Sequence, residues 1–152
     1  MEGEGNKIKS RQGSYNFSTL IVNIFHSFNI FDKKNYADAQ KFCETADING
    51  FTTGRLVEPK TQSFYDKVHA KAKVIFRKSY PRNNDYFWIG INAIRGPWVY
   101  TSSQTKLVFE NWAKGQPCCK VRAHNCAGAI LSHGGWYDRP CKNKFRFICE
   151  FF

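Results

Sequence analysis

The stretch Gly135-Trp136-Tyr137-Asp138-Arg139-Pro140-Cys141, continued after Lys142-Asn143-Lys144 by Phe145-Arg146-Phe147-Ile148-Cys149-Glu150, is the most informative part of this chain. Its second half is a short apolar run, which reads as a strand. The same pattern extends upstream, with short apolar runs at Tyr86–Ile91, Trp98–Tyr100 and Cys126–Leu131 separated by Gly, Pro and Asn. That punctuation from Tyr80 onward marks strands and loops, not helices.

Before Tyr80 the periodicity is different. Asn35 is placed to cap a helix, with Asp38 three positions on to suit its positive end. Tyr36, Ala39, Phe42, Cys43 and Ala46 follow at helical spacing, and Asn49-Gly50 stops the run. Arg55-Leu56-Val57 reads as a short strand closed by Pro59. Thr61 then caps a second helix with Phe64, Val68, Ala72 and Ile75 on one face and Lys67, Lys71, Lys73, Arg77 and Lys78 on the other. Thr19–Asn23 and His26–Phe31 look like two adjacent strands. Two early helices followed by mostly antiparallel strands make an α+β pattern. Residues 1–16 are polar and are expected to be a flexible segment, leaving 17–152 as a single domain.

The 152 residues suit one compact domain with a real core. No run approaches the ~20 apolar residues of a membrane helix. Met1 leads into a polar run with no apolar signal region, so it reads as the start of a mature or expressed form. There are 23 Lys and Arg against 12 Asp and Glu, a net charge of +11, which favours acidic partners or simply a well-solvated surface. The six cysteines, at positions 43, 118, 119, 126, 141 and 149, match no zinc spacing and contain no CxxC pair. An even set of this kind points to an oxidising, extracellular setting, with which the sequon Asn16-Phe17-Ser18 agrees.

Four stretches together resemble a C-type lectin-like domain. Tyr86-Phe87-Trp88-Ile89-Gly90 is similar to its central WIGL strand. Phe109-Glu110-Asn111-Trp112-Ala113-Lys114-Gly115-Gln116-Pro117 is similar to the approach to its long loop. Gly135–Cys141 resembles the WND strand with its cysteine, and Phe145–Glu150 the closing FICE strand. The resemblance covers about residues 17 to 152 in the family's order. It implies two helices flanking antiparallel strands with a long ligand-binding loop, and two disulfides, Cys43–Cys149 and Cys126–Cys141. The chain lacks the extra N-terminal cysteine pair of the family's long form and so resembles the short form.

In calcium-dependent members a cis-proline motif, an acidic residue and the Asn-Asp of WND supply the metal's oxygen ligands. Here those positions hold Gln116, Cys118, His124, Tyr137 and Asp138. Calcium takes about six to eight oxygens, and one carboxylate among Lys114, Lys120, Arg122 and Arg139 cannot balance a dication. The expectation is therefore no calcium, and no cofactor, at this site. From Asn111 to Cys149 seven basic residues face a single acid, Asp138, which suits acidic or sulfated glycans. The expected ligand-binding residues are Gln116, Pro117, Lys120, Arg122, His124, Trp136, Tyr137, Asp138 and Arg139, although Trp136 also fits a core position.

The adjacent pair Cys118-Cys119 has no partner in the family framework. Two ordinary oxidised cysteines within one chain are the favoured reading; a vicinal disulfide, a link to a second chain that would make a dimer, and a zinc site with His124 and His133 also stay open. No paired carboxylates, GxSxG or phosphate-cradling loop appears, and a free thiol for a Cys119–His124 pair does not suit an oxidising compartment, so no enzyme activity is expected. The function implied is a secreted, non-enzymatic recognition module. It would bind a glycan, acidic or galactose-type, or a protein through the long-loop face, with no nucleic acid and no membrane span. Adsorption to mineral, ice or an anionic polymer, aided by the basic helix from Lys60 to Arg82, is the alternative, together with a disulfide-linked receptor-binding domain.

Overall fold

In the computed structural model the described residues are 33–48, 50–77, 85–118 and 123–152, together with the backbone of four strands between residues 7 and 30. The chain runs β1 (Lys7–Ser10), β2 (Gly13–Asn16), β3 (Thr19–Asn23), β4 (His26–Ile30), α1 (Tyr36–Thr45), β5 (Ala46–Asp47), β6 (Gly54–Leu56) and α2 (Gln62–Arg77). It continues through β7 (Tyr86–Asn92), β8 (Val99–Tyr100), β9 (Cys126–Ile130), β10 (Trp136–Arg139) and β11 (Arg146–Phe151). Within residues 1–16 the backbone of β1 and β2 pairs as an antiparallel hairpin, so this segment carries local strand structure. The adjacent strands read at residues 19–31 are β3 and β4, paired antiparallel. Phe17 and Ser18 of the sequon lie outside the described residues, as do residues 78–84 of the basic stretch.

The main sheet has the order β10-β9-β7-β11-β4-β3, with β6 on β11 and β8 on β7. Among the paired strands described, β7 and β11 depart from the antiparallel pattern and run parallel. Parallel neighbours need a long crossover between them, and here the long-loop region with β9 and β10 fills that span. Both strands are buried along nearly their whole length. A central strand with helix or loop packed on each face leaves no solvent side, hence Phe147-Ile148-Cys149 with no polar alternation.

Both helix starts form as the sequence indicates. Asn35 Oδ1 accepts from Asp38 N at 2.9 Å, and Thr61 Oγ1 accepts from Phe64 N at 3.1 Å. α1 stops earlier than expected, because Ala46 is already extended and enters β5. Its inner face is Tyr36, Ala39 and Cys43. On α2 the buried residues are Tyr65, Val68, Ala72 and Phe76, whereas Phe64 and Ile75, expected on that face, are only half-buried. The stripe is rotated by one residue at each end. Phe64-Tyr65 and Ile75-Phe76 are adjacent apolar pairs, so helical spacing alone fits either member.

Two packed clusters result. One joins α2, the inner faces of β7 and β9, and Trp136; the other joins α1, β6, Trp88 and β11. Trp88 donates from Nε1 to the Lys34 carbonyl at 2.9 Å, and the Tyr36 hydroxyl donates to the Ile89 carbonyl at 3.0 Å. Gly90 between them has a steric reason. A Cβ there would lie 2.6 Å from the Leu56 carbonyl oxygen and 2.7 Å from Glu58 Cγ. The disulfides Cys43–Cys149 and Cys126–Cys141 have both formed, tying α1 to β11 and β9 to the turn after β10.

Behind Gly90 lies a buried polar group. Glu58 and Glu150 are each 2% exposed. Arg55 bonds the Glu150 carboxylate through Nε, and the Ser102 hydroxyl bonds Glu58. Burial pushes the Glu150 carboxyl above its ordinary value of 4.5, and the pull of Arg55 only partly offsets this. A group that holds its proton more tightly when folded adds stability below its unfolded pKa and loses it as pH rises through the folded pKa. The stability of the native chain relative to a Glu150→Gln variant should therefore fall as pH rises from 4.5 upward. Paired denaturant titrations at several pH values measure it; a native chain that gains stability over the variant as pH rises would contradict the assignment.

Candidate functional site

The end of the sheet carrying β9 and β10 supports the long loop. The loop's return segment lies along β10: Trp136 N donates to the Asn111 carbonyl at 2.9 Å and Ala113 N to the Trp136 carbonyl at 3.0 Å. Beneath it, Trp136 is fully buried among aromatic rings. Its centroid is 5.7 Å from Tyr65, 5.6 Å from Phe109 and 5.7 Å from Trp112, each ring nearly perpendicular to it. Edge-to-face packing of this kind suits ring quadrupoles. Trp136 was placed among the expected ligand-binding residues with a core position as the other fit; at 0% exposure it is the core of the long-loop region. Burial also raises the Tyr65 hydroxyl pKa, and that hydroxyl bonds the Gly134 carbonyl.

The calcium-type positions lie close together. The Gln116–Pro117 peptide bond is cis. Gln116 Oε1 accepts from Asp138 N at 3.3 Å, and Asp138 Oδ1 accepts from Cys118 N at 3.1 Å. Asp138 Oδ2 is 3.9 Å from His124 Nδ1, and Asp138 is 6% exposed. The two retained oxygen donors are thus turned toward main-chain N–H groups and used to fasten the loop to β10. Cys118 is itself disulfide-bonded; Cys119, Lys120 and Arg122 lie outside the described residues. Among the described residues no three His, Cys, Asp or Glu side chains gather as a metal cage. His124 faces Asp138, whereas His133 faces Tyr137.

The remaining expected residues do not share this surface. Burial along β10 alternates, Trp136 and Asp138 inward, Tyr137 and Arg139 half-exposed, as the period of two requires. Tyr137 packs edge-on to Tyr86 at 5.5 Å, and the Arg139 guanidinium lies 4.7 Å from the same ring. The single face expected for Gln116, Pro117, His124, Trp136, Tyr137, Asp138 and Arg139 is therefore divided by the strand. On the Tyr137 side a groove of about 400 Å³ opens, lined by Asn111, Trp112, Ala113, Lys114 and His133 as well as Tyr137. Of the lining residues only Tyr137 was among the expected ligand-binding residues; Asn111, Trp112, Ala113, Lys114, His133 and Gly135 were not. The only sequence signal for them was the recurrence of polar and aromatic residues in two loop segments, and nothing local brings those segments together.

The C-type lectin family model matches residues 32–151. Together with the fold and the cis-proline long loop, this places the chain in the C-type lectin domain family. Rat L-selectin is 26% identical over 121 residues, 76% of this chain and 29% of that protein. Rat P-selectin is 32% identical over 75 residues, 45% of this chain and 10% of that protein. The chain thus spans less than a third of these relatives. Among solved structures, human lithostathine superposes with a TM-score of 0.65 at 24% identity, covering 88% of this chain and 95% of that one. The mouse scavenger receptor C-type lectin carbohydrate-recognition domain gives 0.68 at 22%, covering 87% and 91%.

Proposed function

We propose that the chain is a non-enzymatic recognition domain that binds glycans, acidic ones above neutral ones, without calcium, in an extracellular setting. The observation that carries this reading is the use of the retained oxygens. Gln116 Oε1 and Asp138 Oδ1 both accept main-chain N–H groups, and the residues present do not fit a calcium cage. The metal needs about six to eight oxygens with enough carboxylate to balance its charge. Here one buried carboxylate accepts the Cys118 amide and faces a histidine. The locally basic sequence supports an anionic ligand. The two intrachain disulfides support an oxidising compartment.

A glycan array containing neutral, sulfated and uronic-acid structures, run with calcium and with chelator, tests this. The expected result is binding to acidic structures that is unchanged by chelator. Binding abolished by chelator would overturn the calcium part, and silence in both conditions would overturn glycan recognition. A second reading, adsorption to an anionic surface, is supported by the exposed Lys60, Lys67 and Lys71 on and before α2. Retention that collapses with modest salt and shows no preference among polyanions would favour it.

A further inference from the structure

The groove beside Tyr137 has the composition of an anion site. Of its lining residues Lys114 carries the only fixed charge, and no carboxylate faces the space. Lys114 is exposed and makes no ion pair among the described residues. The volume, about 400 Å³, is of the size that takes a small ligand. Trp112, half-buried against the core, gives one apolar wall. Asn111 is held by a bond from Nδ2 to the Gly134 carbonyl at 3.1 Å, which leaves its Oδ1 available as an acceptor.

The hydrogen-bond order fixes what Tyr137 offers. Gly135 N donates to His133 Nδ1 at 3.1 Å, so the neutral ring carries its proton on Nε2. His133 Nε2 lies 3.3 Å from the Tyr137 hydroxyl and donates to it. The Tyr137 hydroxyl proton is then free to point at a ligand. The His133 ring can settle here because residue 135 is glycine, where a Cβ would lie 2.7 Å from His133 Cε1. A cation, a polarised hydroxyl donor, an amide and an aromatic wall converge on one space.

We propose that this groove, between the Asn111–Lys114 segment and the His133–Tyr137 strand entry, is the subsite for the anionic group of an acidic saccharide. The sulfate or carboxylate lies between Lys114 Nζ and the Tyr137 hydroxyl, the sugar ring runs against Trp112, and Asn111 takes a ring hydroxyl. This rests on the glycan-binding reading but uses a different space from the Gln116–Asp138 positions. His133 is a positioning residue that acts through Tyr137.

The test titrates the full chain, labelled with ¹⁵N, with galactose 6-sulfate, galacturonic acid and galactose, and repeats this on Lys114→Ala, Tyr137→Phe and the surface control Lys41→Ala. The two acidic sugars should move the Asn111, Ala113, Lys114 and Gly135 amides, and galactose should not. Lys114→Ala should weaken binding about tenfold or more, the range for a bond to a charged group, and Tyr137→Phe about fivefold. His133→Ala should weaken binding in the native chain but add nothing in the Tyr137→Phe background. A preference for sulfate or for carboxylate identifies which anion the site takes. Shifts confined to Gln116, Cys118 and Asp138, with Lys114→Ala unaffected, would overturn the subsite and leave glycan binding standing. Equal losses in Lys41→Ala and Lys114→Ala would replace it with diffuse charge. No response to any sugar here, with binding on the array, would overturn the subsite alone; silence in both would overturn the two together.

Discussion

Replacing both Cys43 and Cys149 with alanine is expected to lower the unfolding free energy by about 2–5 kcal/mol, more than the same change at Cys126 and Cys141. The two bridges close spans of 106 and 15 residues. In the chain-entropy model closures of those lengths constrain the unfolded chain by about 4.7 and 3 kcal/mol. The longer bridge also sits wholly in the core, with Cys43 and Cys149 both at 0% exposure beside Tyr36, Trp88 and Phe147. Alanine in both positions avoids leaving a thiol to oxidise elsewhere. Denaturant titration of the two double variants measures the order. Equal or inverted losses would mean that local packing around the long loop, not chain closure, sets the effect.

Trp136→Ala should cost about 3–5 kcal/mol, the usual range for emptying a buried aromatic site. For a chain of this length that corresponds to roughly 6–20 °C in Tm. The ring meets Tyr65, Phe109 and Trp112 at once, so its loss leaves a cavity exactly between α2 and the loop segment that lies along β10. Trp136→Phe should recover a large part of the loss. Glycan binding should fall in these variants only as far as folding falls, whereas Tyr137→Phe should change binding and leave Tm in place. A Trp136→Ala protein of native stability that has lost its ligand would restore Trp136 as a ligand-binding residue.

Much of the fold could be read locally. The caps at Asn35 and Thr61 depend on residues three apart, and both form. The family motifs carried the disulfide pairing and the long-loop proline. The α2 face could not be read as well, since adjacent apolar residues at 64–65 and 75–76 fit one helical stripe equally; packing against the sheet decided for Tyr65 and Phe76. The expected ligand face was taken as one surface because the family resemblance places Gln116–His124 and Trp136–Arg139 together on the long-loop side. Strand alternation sends Asp138 and Tyr137 to opposite sides of β10.

By itself the sequence determined the fold class, the two framework disulfides and the loss of most calcium-type oxygens, because those rest on residue identity and ordered motifs. Only the tertiary structure decided what the survivors do. The Gln116 and Asp138 oxygens meet strand and loop amides 22 and 20 residues away in sequence, and Trp136 is enclosed by rings from α2 and from the Phe109–Trp112 segment. The groove that joins Lys114 to His133 and Tyr137 exists because the Asn111–Ala113 backbone pairs along β10. Long-range main-chain pairing sets which side chains meet, and short-range pattern does not record it.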